Sequence, residues 1–253
     1  MDQICDDLAA EHSALDTIVS ALDDVAWQVA TPAEGWDIKD TIAHLVQADV
    51  AASMAVLEPE RFIEARAAML AIGSLDGFFS AEGRSGADVL ASWRTERTKM
   101  VDAFRSRGPK DRIPWFGPDM STRSFATARL METWSHGRDV ADTVGAPWEP
   151  TDRIKHVCHI GVTTRGWSYM NRGQPIPEGD VRVELTSPSG ETWEWGAVDA
   201  TDRITGSAED FCLVVTQRRQ PGSTALIADG PLAEEWLSIA QAFAGPPTVP
   251  DTR

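Results

Sequence analysis

The sequence predicts an α+β fold in which an N-terminal four-helix bundle is followed by a small C-terminal α+β domain. Apolar residues recur at helical spacing through the first two-thirds of the chain. From residue 181 onward they alternate with a period of two, which is typical of strands. The segment at 171–180 is rich in proline and glycine and separates the two patterns. We therefore expect a helical bundle at 1–170 and a second domain at 178–246.

The first two predicted helices lie before residue 60. Over residues 4–25, apolar side chains recur every three or four positions, which predicts one amphipathic helix. A break follows at the letters TPAEGW. Asp37 is then predicted to cap a second helix, with Asp40 three residues later as in a capping box. This helix is expected to continue to about Leu57.

Three further helices complete the predicted bundle. A loop is expected at 72–86, and Ser85 or Gly86 begins a third helix that runs through Phe104. The next predicted elements are a loop at 107–120, a helix from Ser121 to about Val144, and a fifth helix that Thr151 caps and that runs through Trp167.

The C-terminal domain is predicted to begin with a hairpin. The letters VRVELTS and ETWEWGAV alternate in polarity, and SPSG between them forms a turn. The remaining predicted elements are a strand at 200–207, a helix capped by Ser207 with Asp210 three residues on, a strand at 223–230 and a last helix at 231–245.

Charge and cysteine content exclude several classes of function. The net charge of -16 repels phosphate backbones and anionic membrane surfaces, so neither nucleic acid nor membrane is expected as a partner. The three cysteines have no CxxC spacing, which argues against a disulfide framework and a thiolate zinc cluster. The N-terminus lacks the basic and apolar regions of a signal peptide. A cytoplasmic protein is therefore predicted.

Three residues form a candidate metal site. Glu132 and His136 are four apart on a predicted helix, so they share one face. Zinc accepts imidazole nitrogen and carboxylate oxygen, and catalytic zinc commonly has three protein ligands. His44 is the candidate third ligand, because inward side chains of different helices can converge in a bundle. By spacing alone, a solvated Glu–His pair and an ordinary core histidine remain alternatives.

Asp139 shares the helix face of this candidate pair. It lies three residues after His136. Its carboxylate could accept a hydrogen bond from a ligand imidazole, or it could form a salt bridge with Arg138.

Two segments carry a resemblance to a known family. G-W-D-I-K-D-T-I-A-H-L at 35–45 and M-E-T-W-S-H-G-R-D-V at 131–140 resemble the DinB-like superfamily and, more narrowly, the mycothiol-dependent maleylpyruvate isomerase family of actinobacteria. The resemblance extends to the layout of the whole chain, because family members carry a small C-terminal α+β domain, similar in layout to sterol-carrier domains. One departure is that Trp134 precedes the histidine here and Arg138 follows its glycine, where the family often has His-Gly-Trp-Asp.

The resemblance implies a metal-dependent enzyme that uses a low-molecular-weight thiol. It places the metal, Zn²⁺ or another divalent ion, on His44, Glu132 and His136. It implies mycothiol or a similar thiol as co-substrate, activated as thiolate for addition to an electrophilic small molecule, with isomerisation or S-transfer as the outcome. Trp36 matches the family's packing tryptophan. Arg218 is the nearer match to an arginine of the C-terminal domain that anchors a substrate carboxylate.

Other interpretations stay open on the sequence. The same site could activate water, which would make the protein a zinc-dependent hydrolase, or it could serve a non-catalytic protein that binds a metal or a small ligand. The metal could be zinc, nickel or iron, and a homodimer is possible. His156 and His159 are three apart and form a second candidate metal site, although such pairs are more often structural.

Overall fold

The computed structural model of the protein describes residues 1–72 and 78–245, and within them the predicted α+β fold is confirmed. The chain divides into two compact units, Met1–Trp148 and Glu149–Arg253. Residues 73–77, part of the predicted loop, and residue 246, the end of the predicted second domain, lie outside the described residues.

The first unit is helical. Its elements are α1 (Asp2–Val19), α2 (Ile38–Leu57), α3 (Pro59–Ile72), α4 (Gly86–Arg105) and α5 (Thr122–Val144), with a short antiparallel pair of strands, β1 (Arg112–Ile113) and β2 (Met120–Ser121). Helices α1 and α2 each pack against both α4 and α5, which makes a four-helix bundle. Its core contains large apolar side chains from several helices, among them Leu15, Ile42, Leu45 and Trp93.

Local capping chemistry fixes where these helices begin. The Asp37 carboxylate accepts a hydrogen bond from the Asp40 N–H at 2.7 Å, and the Asp40 carboxylate accepts one from the Asp37 N–H at 3.3 Å. This confirms the predicted capping box. Ser85 caps α4 in the same manner, and Ser121 accepts a hydrogen bond from the Ser124 N–H at the start of α5. These caps satisfy main-chain N–H groups that have no partner within the helix.

Some predicted boundaries in the first unit are wrong. The first helix ends at Val19 rather than residue 25, because Asp23 accepts a hydrogen bond from the Ala26 N–H and starts a separate 3₁₀ turn, Ala26–Gln28. Helix α3 has no counterpart in the prediction. Among its described side chains, Phe62 is the one fully buried apolar anchor, so the sequence shows little apolar periodicity.

The second unit combines a four-stranded sheet with helices. Its elements are α6 (Lys155–Thr163), α7 (Arg165–Met170), β3 (Val181–Thr186), β4 (Thr192–Trp195), β5 (Asp202–Ser207), α8 (Ala208–Val215), β6 (Ile227–Asp229) and α9 (Pro231–Ile239). The strand order is β4-β3-β5-β6. The predicted hairpin is β3 with β4, whereas β5 pairs with β3 in parallel and β6 with β5 antiparallel.

Helices α6 and α7 belong to this second unit, which begins at Glu149. The predicted range of the first domain, 1–170, includes both helices. Gly161 of α6 has no Cβ, and a Cβ there would lie 2.8 Å from Val215 and 3.0 Å from Phe211 of α8. The two helices therefore approach closely. The predicted fifth helix is divided at Thr164, whose hydroxyl bonds back to the Ile160 carbonyl at 2.7 Å.

In the described residues, none of the helices is both long and apolar enough to span a membrane.

Candidate metal centre

Two neighbouring helices of the first unit bring the three predicted ligands together. His44 lies on α2, and Glu132 and His136 lie one turn apart on α5. Glu132 Oε2 is 3.6 Å from His44 Nε2 and 3.5 Å from His136 Nε2. One ligand atom from each of the three residues lies within 4.8 Å of the others. The structure thus places two imidazoles around one carboxylate oxygen.

These separations fit a shared metal ion better than hydrogen bonds. Hydrogen bonds of this type have donor–acceptor distances of about 2.7–3.2 Å, and both measured distances are longer. Ligand atoms of a tetrahedral zinc ion, bound at about 2.0–2.1 Å, lie roughly 3.3–3.5 Å apart. The donor set of two imidazole nitrogens and one carboxylate oxygen is also one that zinc uses in catalytic sites. The residues present therefore fit the metal that the resemblance implies.

Burial and the neighbouring side chains together set the charge states of His44 and Glu132. Burial lowers the pKa of His44, an effect larger than the opposing one of Glu132, so this imidazole is neutral at neutral pH and has a lone pair available. Burial also raises the pKa of Glu132, but together the two imidazoles outweigh it and hold the pKa well below its usual range. The site therefore presents a carboxylate beside a neutral imidazole, which is the protonation that a divalent cation requires.

The site is partly covered by Trp36 but remains accessible to solvent. The side chains of His44 and Glu132 keep 23% and 25% of their surface exposed, whereas that of His136 keeps 9%. The ring of Trp36 lies over both imidazoles, with centroids 4.9 Å from His44 and 5.9 Å from His136. Trp36 directly precedes Asp37, the N-cap of α2, so the capping box also helps to fix the position of the Trp36 side chain.

Asp139 contacts the imidazole of the candidate ligand His136. Its Oδ2 lies 3.1 Å from His136 Nδ1, and the residue is buried. A carboxylate at this position accepts a hydrogen bond from Nδ1–H, which leaves the Nε2 lone pair directed at the centre. Arg138, the alternative partner considered for Asp139, forms an ion pair with Asp142 at 2.9 Å.

The remaining predicted site residues lie in the second unit. Arg218 follows α8, where its N–H donates to the Leu213 carbonyl and its guanidinium donates to the Thr216 carbonyl. Its assignment as a substrate anchor stays a prediction. His159 Nδ1 accepts a hydrogen bond from the Trp195 indole at 3.3 Å. Among the described residues, the His44, Glu132 and His136 group is the one set of three or more such side chains close enough to share an ion.

A buried ion pair between Arg129 and Asp49 lies close to the centre, and no sequence pattern predicts it. Arg129 on α5 donates to Asp49 on α2 at 2.9 Å. The available signal was a charged residue on each helix at a position facing the apolar core, three residues before Glu132 in one case and five after His44 in the other. Sequence spacing does not show that two such residues, 80 positions apart, meet.

Comparison with known families gives two matches. The family described as "Mycothiol maleylpyruvate isomerase N-terminal domain" matches residues 8–141, which contain all three candidate ligands. The family described as "Wyosine base formation" matches residues 177–229 in the second unit.

Relatives of the whole chain are known in sequence and in fold. Uncharacterized proteins of Mycobacterium tuberculosis, strains CDC 1551 / Oshkosh and ATCC 25618 / H37Rv, are each 43% identical over 244 residues, covering 95% of this chain and 95% of theirs. The crystal structure of the mycothiol-dependent maleylpyruvate isomerase superposes with a TM-score of 0.54 at 14% identity, covering 84% of this chain and 87% of that one. A histidine-to-alanine mutant of that enzyme gives a TM-score of 0.53 at 15% identity, with the same coverage. These two structures show a shared fold.

Proposed function

Because the chain belongs to the mycothiol maleylpyruvate isomerase N-terminal domain family, we propose that it is a zinc-dependent enzyme that uses a low-molecular-weight thiol, of which mycothiol is the family's example. In this proposal the thiol loses its proton and adds, as thiolate, to an electrophilic small molecule. Breaking the new C–S bond after rotation of the adduct would release the thiolate and an isomer, whereas protonation of the adduct would give a thioether. The observation that carries the proposal is the convergence of His44, Glu132 and His136 at separations that suit one ion.

Each residue of the centre has a task in this proposal. His44, Glu132 and His136 hold the ion and leave a further coordination position for an external ligand. Bound zinc supplies a cation that strongly favours the thiolate form of a coordinated thiol. Asp139 holds the His136 ring by accepting from Nδ1, and Trp36 shields the imidazoles from water on one side. Arg218 is proposed as the anchor for a substrate carboxylate, since a guanidinium binds carboxylates through two parallel hydrogen bonds.

The test begins with metal content, compared between the wild type and two histidine variants. His136→Ala removes a proposed ligand, whereas His156→Ala, a histidine of the second unit, serves as the matched control. We expect about one zinc per chain in the wild type and in His156→Ala, and none in His136→Ala, because two remaining ligands hold zinc weakly. Circular dichroism checks that all three proteins are folded. A wild type that takes up no zinc, even when zinc is supplied, contradicts the proposal.

Thiol binding then separates this function from the alternatives. In the cobalt-substituted protein, coordination of mycothiol, or of N-acetylcysteine as a simpler thiol, is expected to give a thiolate-to-metal charge-transfer band. The band should be missing in His136→Ala. A metal-loaded wild type that shows no band and no thiol binding argues against thiol chemistry and favours the hydrolase or the binding protein. Turnover of simple esters without thiol would favour the hydrolase.

A further inference from the structure

A buried ion pair joins the two helices that carry the candidate ligands. Arg129 of α5 directs Nε and Nη2 at the same oxygen of Asp49 on α2, at 3.3 and 2.9 Å. Their side chains are 4% and 1% exposed, so the pair is inside the bundle. Asp49 lies ~7.5 Å along the helix axis from His44, and Arg129 lies ~4.5 Å from Glu132. The pair therefore lies about one turn from the ligands on each helix.

The energetics of this pair argue against a role in stability. Removing two charges from water costs free energy that a buried pair often fails to recover, so apolar replacements are commonly neutral or stabilising. By distance and angle, Asp49 Oδ2 has no hydrogen-bond partner among the described residues, although the Trp93 indole and the Arg97 guanidinium each lower the pKa of this carboxyl. In addition, burial raises the pKa of Asp49 to about 6 in spite of the guanidinium beside it. A buried pair of this kind is not expected to stabilise the fold, so its presence calls for another explanation.

One explanation is that the pair sets the register of α2 relative to α5. The hydrophobic effect is non-directional, and the neighbours of Asp49 along α2, such as Leu45 and Val46, are apolar and fully buried. A metal centre tolerates errors of only about 0.5 Å in its ligands. A guanidinium with two donors on one carboxylate oxygen is directional, so it sets one position of α2 relative to α5.

We propose that Asp49 and Arg129 are positioning residues that hold α2 against α5 in the register at which His44 meets Glu132 and His136. The proposal rests on the proposed function, because it treats those three residues as ligands of one zinc ion. Neither Asp49 nor Arg129 touches the ion or the substrate in this proposal. Their proposed effect is transmitted through the helices. Besides burial, the charge of Arg129 also lowers the pKa of His44 directly, so the register effect is measured by ligand geometry at the metal together with zinc affinity.

The test replaces the pair by apolar residues of similar size, Asp49→Leu with Arg129→Met. The metal-free double variant is expected to fold with an equal or higher melting temperature, yet to bind zinc about 10- to 100-fold more weakly, the usual effect of disturbing the support of a metal site. The visible spectrum of bound cobalt should also change, since it reports ligand geometry. The control is Arg94→Met, which removes an ion pair between α4 and α1, two helices without ligands. This control should leave zinc affinity and spectrum unchanged.

Two single variants keep the test decisive if the double variant does not fold. Arg129→Lys keeps the charge but not the two-donor fork, and Asp49→Asn keeps an acceptor oxygen. Both are expected to weaken zinc binding by a smaller factor and to shift the cobalt spectrum. Zinc affinity and cobalt spectra equal to those of the wild type in every variant that folds would overturn the proposal. A wild type without zinc binding would instead refute the proposed function itself.

Discussion

Buried aspartates of the two units have different partners. In the first unit, buried or partly buried ionisable groups contact one another, as Arg129 does with Asp49 and His136 with Asp139. In the second unit, Asp202 is equally buried, but it accepts hydrogen bonds from the main-chain N–H groups of Leu232 and Ala233 at the start of α9. Contacts with the main chain satisfy N–H groups at the start of a helix, whereas contacts between ionisable side chains fix the positions and protonation states of those side chains. Asp49 and Asp139 therefore position other ionisable side chains, whereas Asp202 supports the start of α9.

The strongest test of this contrast removes one buried carboxylate from each unit. Asp139→Ala removes the group that orients His136, so zinc affinity is expected to fall about 10- to 100-fold. Asp202→Ala removes the acceptor at the start of α9 and is expected to lower the free energy of unfolding by about 1 kcal/mol, with unchanged zinc affinity. Zinc competition assays and denaturant unfolding measure the two quantities. An equal effect of both variants on zinc binding would refute the division of roles.

Gly137 of the first unit and Gly161 of the second allow a comparison of how tightly the two units pack. A Cβ at Gly137 would lie 2.4 Å from the Trp148 ring, and one at Gly161 would lie 2.8 Å from Val215. Val215 is fully buried, whereas Trp148 is partly exposed and can move. We expect Gly161→Ala to cost ~2–3 kcal/mol of stability and Gly137→Ala ~1 kcal/mol, within the range for overpacking.

Only Gly137→Ala should also weaken zinc binding, because Gly137 is adjacent to His136. Chemical denaturation and zinc titration of both variants check this pair of expectations. The comparison fails if Gly161→Ala alters zinc affinity or if Gly137→Ala leaves it intact while destabilising the chain.

The smallest expected effect concerns pH. Burial lowers the pKa of both His44 and His159 from the ordinary value of 6.5. A histidine whose pKa is lower in the folded state adds stability that is present above pH 6.5 and lost as the pH falls through the folded value. In an NMR titration of the metal-free protein, both imidazoles should therefore titrate below pH 6.5. Zinc should abolish the titration of His44 and leave that of His159 in place, and the reverse result would place the ion elsewhere.

Local signals predicted much of the fold. The capping box at Asp37, the cap at Ser207 and the alternation that forms the hairpin of β3 and β4 are confirmed. All depend on residues within a few positions of one another. Helix α3 was not predicted because Phe62 alone, among the side chains of this helix that the structure describes, is buried in the core, and one buried residue gives no periodicity.

The sequence alone determined that Glu132 and His136 share a face of one helix, because that follows from helical geometry over four residues. It also determined the change from a helical to a strand pattern along the chain. Tertiary structure decided that His44 meets this pair, that Asp49 finds Arg129 across 80 positions, and that α6 packs on α8. The physical reason is that periodicity and capping depend on neighbours along the chain. The partner of a buried charge depends instead on how whole helices pack, which no local pattern records.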